Sequence, residues 1–263
     1  MHKLTAAKAA FIRDLVRHRK TRETEHLFIV EGLKPIEELL GSHPASFQAL
    51  VVTQTSLTAA DPSFADHVQE SGCPLYVCEA KVLATLSDLA TPSGMLAVVR
   101  QPKWDQEQIF RQHELLGFYG ECLQDPGNVG PIIRTAVAFG LDAVWFSSDS
   151  VDVFNPKVVR GTAGALLKLP IFSISDVAVF NRHDCVMLAA EIRSTHTRPI
   201  QEIRTRPRRA VVALGNEGRG LLPSTLARAS IRFHIPIRPA ADSLNVSAAA
   251  AIAAFTFSAL NQE

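Results

Sequence analysis

The chain has 263 residues, 47% of them hydrophobic and 20% charged, a composition typical of a folded protein of one or two domains. No apolar run reaches the roughly 18 residues that a membrane-spanning helix needs, which argues against a membrane protein. The four cysteines form no CxxC pair and the nine histidines show no HxxxH or HExxH spacing, so we expect free thiols in a reducing cytoplasm and no metal site.

The net charge of +1 conceals two basic clusters. Residues 1–22 contain seven Lys or Arg against one acid, and residues 193–209 contain six Arg against one acid. Such clusters favour contact with nucleic-acid phosphates, although a solvated basic face is the alternative interpretation. The N-terminal cluster lacks the serines of a transit peptide, and we treat it as part of the folded domain.

The first predicted element is an amphipathic helix over residues 4–18, with Ala9, Ile12, Leu15 and Val16 on one face. Apolar runs then predict strands at 27–32, 49–53, 74–78 and 94–102. Helices are predicted between them at 34–41, 62–72 and 81–90. This alternation predicts an N-terminal α/β domain over residues 1–103, followed by a charged linker at 104–114.

A second α/β domain is predicted over residues 115–263. Its predicted strands lie at 115–122, 141–148, 184–191, 209–214 and 231–237. Its helices are predicted at 131–140, within 155–171, at 222–229 and in the alanine-rich stretch after Ser247. Strands that alternate with helices favour a mostly parallel sheet covered on both faces.

Three loops of this second domain follow apolar strands and are rich in glycine, small or polar residues. They are QDPGNVG (124–130), GNEGRG (215–220) and PIRPAADSLNVS (236–247). In open α/β sheets, ligands bind outside the carboxyl ends of the strands, so three such loops suggest one pocket. The chain has no GxxxxGK[ST] and no GxGxxG after a strand, which disfavours a P-loop nucleotidase and a dinucleotide-dependent dehydrogenase.

The segments LQDPGNVGPIIRTAVAFG, ALGNEGRGL and IPIRPAADSLNVSAAAAIAAF resemble, in order and spacing, the three motifs of the SpoU/TrmH branch of the SPOUT RNA methyltransferases. NPKVVRGTAGALLKLPI resembles a further family segment. RHRKTRETEHLFIVEGLKPIEELL and LSDLATPSGMLAVVRQP resemble the N-terminal substrate domain. The resemblance implies a trefoil-knotted methyltransferase domain with a mostly parallel sheet, preceded by a smaller α/β domain akin to RNA-binding ribosomal proteins.

The resemblance also implies an activity, namely methylation of a ribose 2′-hydroxyl in RNA with S-adenosylmethionine as cofactor. The positions that match the cofactor pocket are Leu214, Gly215, Ile235 and Leu244. Those that match the polar catalytic residues are Asn128, Arg134, Glu217, Ser243 and Asn245. Without the resemblance, the two asparagines would be interpreted as turn or cap residues and Glu217 as a solvated loop acid.

Arg134 is expected to have the central catalytic role. Negative charge grows on the attacking 2′-oxygen, and a guanidinium aimed at it would stabilise that charge. The family is often described as using this arginine as a general base, but arginine does not readily lose its proton in proteins. We favour electrostatic help, and the sequence leaves both possibilities open.

The expected partners are RNA and a second copy of the chain, which would dimerise through the C-terminal domain. Arg19, Lys20, Arg22 and Arg160 are candidate RNA contacts. The N-terminal domain favours rRNA over tRNA as the substrate. A tRNA methyltransferase, an antibiotic-resistance rRNA methyltransferase and a non-catalytic RNA-binding assembly factor that keeps the fold are the alternatives.

Overall fold

The structure, a computed structural model, describes residues 2–262. Its strands are β1 (His2–Lys3), β2 (Leu27–Glu31), β3 (Phe47–Val52), β4 (Leu75–Val77), β5 (Met95–Arg100), β6 (Leu115–Gly120), β7 (Ala143–Ser147), β8 (Ile171–Ile174), β9 (Val186–Ala190), β10 (Arg198–Pro199), β11 (Thr205–Arg206), β12 (Arg209–Leu214), β13 (Ile231–His234) and β14 (Asn261–Gln262).

The helices alternate with these strands. They are α1 (Ala6–Arg17), α2 (Arg19–Glu25), α3 (Leu33–Ser42), α4 (Gln54–Thr58), α5 (Phe64–Ser71), α6 (Ala80–Ala84), α7 (Gln106–Phe110), α8 (Pro126–Ala138), α9 (Pro156–Thr162), α10 (Val179–Arg182), α11 (Pro223–Leu226) and α12 (Val246–Ala259). Short 3₁₀ turns occur at Pro44–Ser46, Ala165–Leu167 and Ile200–Glu202. Within the described residues, no helix has both the length and the apolar character that a membrane crossing requires.

The chain divides into two compact units, and the first contains the residues up to Lys103 together with Asp152–Gly164. Its sheet has the order β1-β4-β3-β5-β2. The pairs β1–β4 and β3–β4 are parallel, whereas β3–β5 and β2–β5 are antiparallel. The predicted face of α1 packs on this sheet through Ile12, Leu15 and Val16, as its period of apolar residues requires.

The segment Asp152–Gly164 packs with this first unit although it lies far along the chain. Phe154 contacts Phe28 of β2 with the ring centroids 5.2 Å apart. Arg160 of α9 forms an ion pair with Asp88, with an N–O distance of 2.6 Å. Nothing in the local sequence pattern signals this attachment, because it depends on contacts between residues distant in sequence.

The second unit contains Trp104–Val151 and Ala165–Glu263. Its main sheet has the order β10-β13-β9-β12-β6-β7-β8, and all its pairs are parallel. Trp145 of β7 is fully buried and lies across β6 at Gly117, where a Cβ atom would come within 2.5 Å of the indole ring. The mostly parallel α/β sheet expected for this part of the chain is therefore present.

The stretch 104–114, which the charge pattern predicts to be a linker, contains α7 within the second unit. Asp105 caps this helix with hydrogen bonds from the N–H groups of Glu107 and Gln108. Ile109 and Phe110 are buried, and Phe110 stacks on Trp145 with the ring centroids 5.4 Å apart. The charged residues conceal a short amphipathic helix that belongs to the core.

The register of the parallel strands brings the three loops to one edge of the sheet. Gly120 and Leu214, the last residues of β6 and β12, are directly paired. Ile231 pairs with Leu188, which pairs with Val212, so the end of β13 is level with the end of β12. One strand, β9, separates β13 from β12, and β6 lies directly beside β12. The carboxyl ends of β6, β12 and β13, where the three loops begin, are therefore within about 15 Å of one another.

Candidate active site

The first loop is shorter than the sequence pattern suggests, because α8 begins at Pro126 and not near Pro131. Asp125 is the N-cap, and its Oδ1 accepts a hydrogen bond from N of Gly127 over 2.8 Å. Asn128, expected in the loop, therefore lies in the first turn of α8 and is only 5% exposed. Pro131, expected near the helix start, lies inside the helix, where it donates no backbone hydrogen bond.

Three side chains, one from each motif, form a continuous chain of hydrogen bonds. Asn128 donates from Nδ2 to Oε1 of Glu217 over 2.8 Å. Asn245 donates from Nδ2 to Oδ1 of Asn128 over 2.8 Å. Oδ1 of Asn245 accepts from N of Ser247 over 2.8 Å, which makes Asn245 the N-cap of α12. Both polar groups of each asparagine are thus used inside the protein, where they join the three loops.

The second loop is held at both ends by two consecutive residues that follow β6. Near its entry, Asn216 donates from Nδ2 to the carbonyl oxygen of Cys122 over 2.7 Å. Just beyond its exit, N of Leu222 donates to Oε2 of Glu121 over 2.7 Å. The backbones of Asn216 and Gly220 pair with each other at 3.0 and 2.9 Å, which closes the loop on itself.

Glu121 is a buried carboxylate surrounded by donors. It is 3% exposed, and within the described residues it has no salt bridge. Its Oε1 accepts hydrogen bonds from the hydroxyl groups of Tyr119, over 3.3 Å, and of the fully buried Thr225. Burial, with the nearby charge of Glu121, raises the pKa of Tyr119 well above its usual range. Tyr119 therefore stays protonated and donates, and hydrogen bonds of this kind are what a buried anion requires.

Gly215 leaves no room for a side chain, because the backbone at the exit of the second loop occupies that space. A Cβ atom at Gly215 would lie 2.2 Å from the carbonyl carbon of Gly220 and 2.3 Å from N of Leu221. Leu214, the last residue of β12, is only 1% exposed. A glycine at position 215 therefore allows the second loop to close tightly on itself.

The third loop and Leu222, which follows the second loop, expose apolar side chains at the same edge. Leu244 and Ile237 are each 38% exposed, and Leu222 is 43% exposed. Ile235 is partly buried, and Ser243 is exposed without a hydrogen bond to any residue that the structure describes. A ligand with a flat apolar part would cover such side chains.

Arg134 points away from the hydrogen-bond chain. The six residues that separate it from Asn128 turn an α-helix by about 240° and advance it by about 9 Å, so the two side chains leave different sides of α8. Arg134 is exposed and forms no ion pair or hydrogen bond with the described residues. The exposed Ala138, four residues later, lies on the same side as Arg134.

Arg22, expected to contact RNA, instead stabilises the fold of the first unit. It is 3% exposed, and its Nη2 lies 2.7 Å from Oδ2 of Asp152. Its Nη1 donates to the carbonyl oxygens of Leu15 and Val16 at the end of α1. Breaking a buried pair of this kind leaves an uncompensated charge, so Arg22 does not present its guanidinium to RNA.

The other three candidate RNA contacts are at least partly accessible. Arg19 pairs with Glu23 over 2.7 Å on the exposed side of α2, and Lys20 beside it is exposed. Arg160 retains 26% of its side-chain exposure beside Asp88. Surface pairs of this kind contribute little to stability.

Glu121, Cys122, Asn216 and Thr225 were not predicted from the sequence, although they hold the second loop. One signal was present, because Glu121 is a charged residue directly after an apolar strand at the carboxyl edge of the sheet. Two of the three partners of Glu121, Leu222 and Thr225, lie 101 and 104 residues further along the chain, so the sequence pattern cannot identify them. Among the residues described, no group of three His, Cys, Asp or Glu is arranged to hold a metal ion.

Comparison with known proteins gives two family matches. A family model described as SpoU rRNA Methylase matches residues 119–255, and one described as MRM3-like substrate binding domain matches residues 11–97. The chain is 31% identical to an uncharacterized tRNA/rRNA methyltransferase of Synechocystis sp., over 73% of this chain and 70% of that protein.

A second relative and a solved structure cover almost the entire chain. The 23S rRNA (guanosine(2553)-2′-O)-methyltransferase RlmP of Bacillus subtilis is 28% identical over 96% of this chain and 97% of its own length. The crystal structure of an AdoMet-bound rRNA methyltransferase from Sinorhizobium meliloti has a TM-score of 0.82 and 25% identity, and the match covers 97% of this chain and 95% of that one.

Proposed function

Because the chain belongs to the SpoU rRNA methylase family, we propose that it transfers the methyl group of S-adenosylmethionine to a ribose 2′-hydroxyl of rRNA. The observation that carries this proposal is the chain of hydrogen bonds from Glu217 through Asn128 to Asn245. It joins one residue of each family motif at the carboxyl edge of the parallel sheet, where α/β proteins bind ligands.

The residues around this edge suit S-adenosylmethionine. We assign Leu244 and Ile235 to the face of the adenine ring, since both offer apolar surface, and the backbone of Gly215 to its polar edge. Leu214 fixes the end of β12 from inside the core. When bound, the cofactor supplies a methyl group on a positively charged sulfur.

The internal hydrogen bonds distinguish polar residues that position the loops from those that are free to contact the substrate. Asn128 and Asn245 use both of their polar groups on each other, on Glu217 and on a helix cap, so we assign them to positioning the three loops. Ser243 is exposed with a free hydroxyl among the described residues, and we assign it to direct contact with the substrate.

Arg134 is assigned to the developing negative charge on the 2′-oxygen. A positioned guanidinium donor contributes about 10²–10³ in rate, and it needs no loss of its own proton. Arg134→Lys keeps the charge but loses the planar fork of donors, so methylation should fall by about that factor. Full activity of Arg134→Lys would exclude both a role that depends on the fork and an arginine base.

We further propose that the chain acts as a homodimer through α8 and α12. Apolar residues occupy the buried side of α12 and also its outer side, where the exposed Ala248, Phe255 and Ala259 and the partly buried Ile252 form a stripe. Phe255 is 65% exposed and contacts Phe139, which is 36% exposed, at the end of α8. A helix that is apolar on all sides is normally buried, and a second copy would cover the stripe.

We propose that a dimer formed through this stripe brings Arg134 against the partner subunit, because Arg134 is exposed on α8 five residues before Phe139, which contacts Phe255. Mixing Arg134→Ala subunits with Glu217→Ala subunits tests this arrangement. If each site takes its arginine from one subunit and its glutamate from the other, one of the two sites in the heterodimer contains both native residues. The mixture of two inactive variants should then recover activity at that site. A heterodimer that forms but stays inactive would contradict the arrangement.

The decisive experiment on function has two parts. Calorimetry with S-adenosylmethionine on the folded protein should detect binding, and absence of binding would exclude the enzymatic proposal. Mapping of ribose methylation in rRNA and tRNA from cells with and without the gene should show loss of one rRNA site on deletion. Loss of a tRNA site instead would identify tRNA, and not rRNA, as the substrate. The knotted chain path and the cytoplasmic location stay predictions.

A further inference from the structure

A groove of about 440 Å³ lies at the β10 edge of the seven-stranded sheet. It runs between the chain that leads into β10 and the start of β13, which are parallel neighbours. Its lining includes Thr195, His196, Thr197, Arg198, Ser230 and Arg232. The groove presents hydroxyl, imidazole and guanidinium groups, and no acidic residue lines it.

The walls of the groove are fixed by hydrogen bonds. Oγ1 of Thr197 lies 2.9 Å from Nδ1 of the buried His234 and also binds the backbone of Ser194. Arg232 donates from Nη2 to the carbonyl oxygen of Leu226 over 2.8 Å. Its Nε lies 3.8 Å from a carboxylate oxygen of Glu191, which is not among the lining residues. These contacts hold the guanidinium of Arg232 in place without a ligand.

Other donors of the groove are unused. The side chains of Arg198, Thr195 and Ser230 are exposed and make no hydrogen bond with any described residue. Arg193 and Arg228, each two residues before one of these hydroxyl groups, are exposed as well. A surface rich in free donors and poor in acceptors matches the phosphate oxygens of a nucleic-acid backbone.

We propose that this groove binds the sugar-phosphate backbone of the RNA substrate, with Arg198 as its main phosphate contact. The proposal rests on the proposed function. Arg232 precedes Ile235 of the third loop by three residues, about 10 Å of extended strand. A backbone in the groove would therefore belong to nucleotides close to the methylated ribose.

The alternative is that Arg198 and Pro199 protect an edge strand. Charged residues and proline on an edge discourage pairing with another chain, and β10 is the edge of this sheet. This alternative predicts that loss of Arg198 increases self-association and leaves RNA affinity unchanged.

The test measures RNA affinity of the full chain as a function of salt. The probe is an in-vitro transcribed 23S rRNA fragment, and the variants are Arg198→Ala and the control Arg182→Ala. Arg182 is an exposed arginine, paired with Asp176, in the same unit but outside the groove. Arg198→Ala should weaken binding about three- to tenfold at low salt and reduce the slope of log K against log salt by about 0.7–0.9. Arg182→Ala should change neither quantity.

Each outcome is decisive. RNA affinity and salt slope equal to those of the wild type in Arg198→Ala would overturn the proposal, and aggregation of that variant with unchanged affinity would establish edge protection. Calorimetry with S-adenosylmethionine on the same variant should give wild-type affinity, because Arg198 lies outside the three loops. Absence of cofactor binding in the wild type would refute the proposed function, and the RNA measurement on the groove would still stand by itself.

Discussion

Asn128→Asp should destabilise the second unit, because it replaces the only donor that Asn128 offers to Glu217. The substitution changes little in shape, but it places a carboxylate oxygen where Nδ2 now donates to Oε1 of Glu217 over 2.8 Å. The hydrogen bond from Asn245 to Oδ1 can persist. The change therefore isolates one link between the first and second motifs.

The expected loss has three contributions. The lost hydrogen bond is worth about 0.5–1.5 kcal/mol. Two carboxylates about 4 Å apart repel by about 1 kcal/mol in water and about 4 kcal/mol at an effective dielectric constant of about 20, and the exposure of Glu217 favours the lower part of this range. A negative charge in the first turn of α8 gains about 0.3–1 kcal/mol from the helix dipole. The repulsion and the lost hydrogen bond together exceed the gain from the helix dipole. Asn128→Asp should therefore lower the free energy of unfolding by about 1–3 kcal/mol near pH 8.

The sign of the pH dependence follows from the pair of carboxylates. Repulsion raises the pKa of one of them, so its protonated form is favoured in the folded state. At acidic pH this proton restores a donor between the two side chains, and the loss of stability shrinks. As pH rises through the raised pKa, the proton leaves and the full destabilisation returns.

Urea unfolding at pH 5 and pH 8, followed by tryptophan fluorescence, measures the effect. Both tryptophans, Trp104 and Trp145, belong to the second unit, so the signal reports on the unit that contains the substitution. Adding Glu217→Gln to Asn128→Asp supplies a new amide donor and should restore at least half of the lost stability. An Asn128→Asp variant as stable as the wild type at pH 8, or no rescue in the double variant, would refute the role of this link.

Three further predictions follow from the same contacts. Glu121→Leu leaves the N–H of Leu222 unpaired and should lower the affinity for S-adenosylmethionine about tenfold in calorimetry, whereas Glu121→Gln, which keeps one acceptor, should lose less. Ala250→Leu should cost about 1–3 kcal/mol in urea unfolding, because Ala250 is fully buried, whereas Ala10→Leu at an exposed position of α1 should stay within about 0.5 kcal/mol. Burial, the hydrogen bond to Asp149 and the charge of Asp149 raise the pKa of Cys122 to about 11. Asp149→Asn should therefore shift the pH profile of iodoacetamide labelling at Cys122 to lower pH, and an unchanged midpoint would contradict this account.

The sequence predicted the features that depend on local pattern. The amphipathic face of α1, the strands of the second unit and the glycine-rich loop before Leu221 all have signals that span fewer than about 20 residues. The boundaries were less accurate. The helix α8 begins at Pro126 and not near Pro131, because the carboxylate of Asp125 caps the helix and a proline in the first turn favours a helix start.

The tertiary structure alone decided which polar residues face a ligand and which hold the fold. Arg22 and Lys20 are near neighbours in one basic cluster, yet Arg22 is buried against Asp152, 130 residues away, while Lys20 is exposed. Glu121 and Glu217 are both acids in glycine-containing loops, yet only Glu121 is enclosed by Tyr119 and Thr225. Hydrogen bonds and burial between distant segments fix these differences, and no local pattern of residue types encodes them.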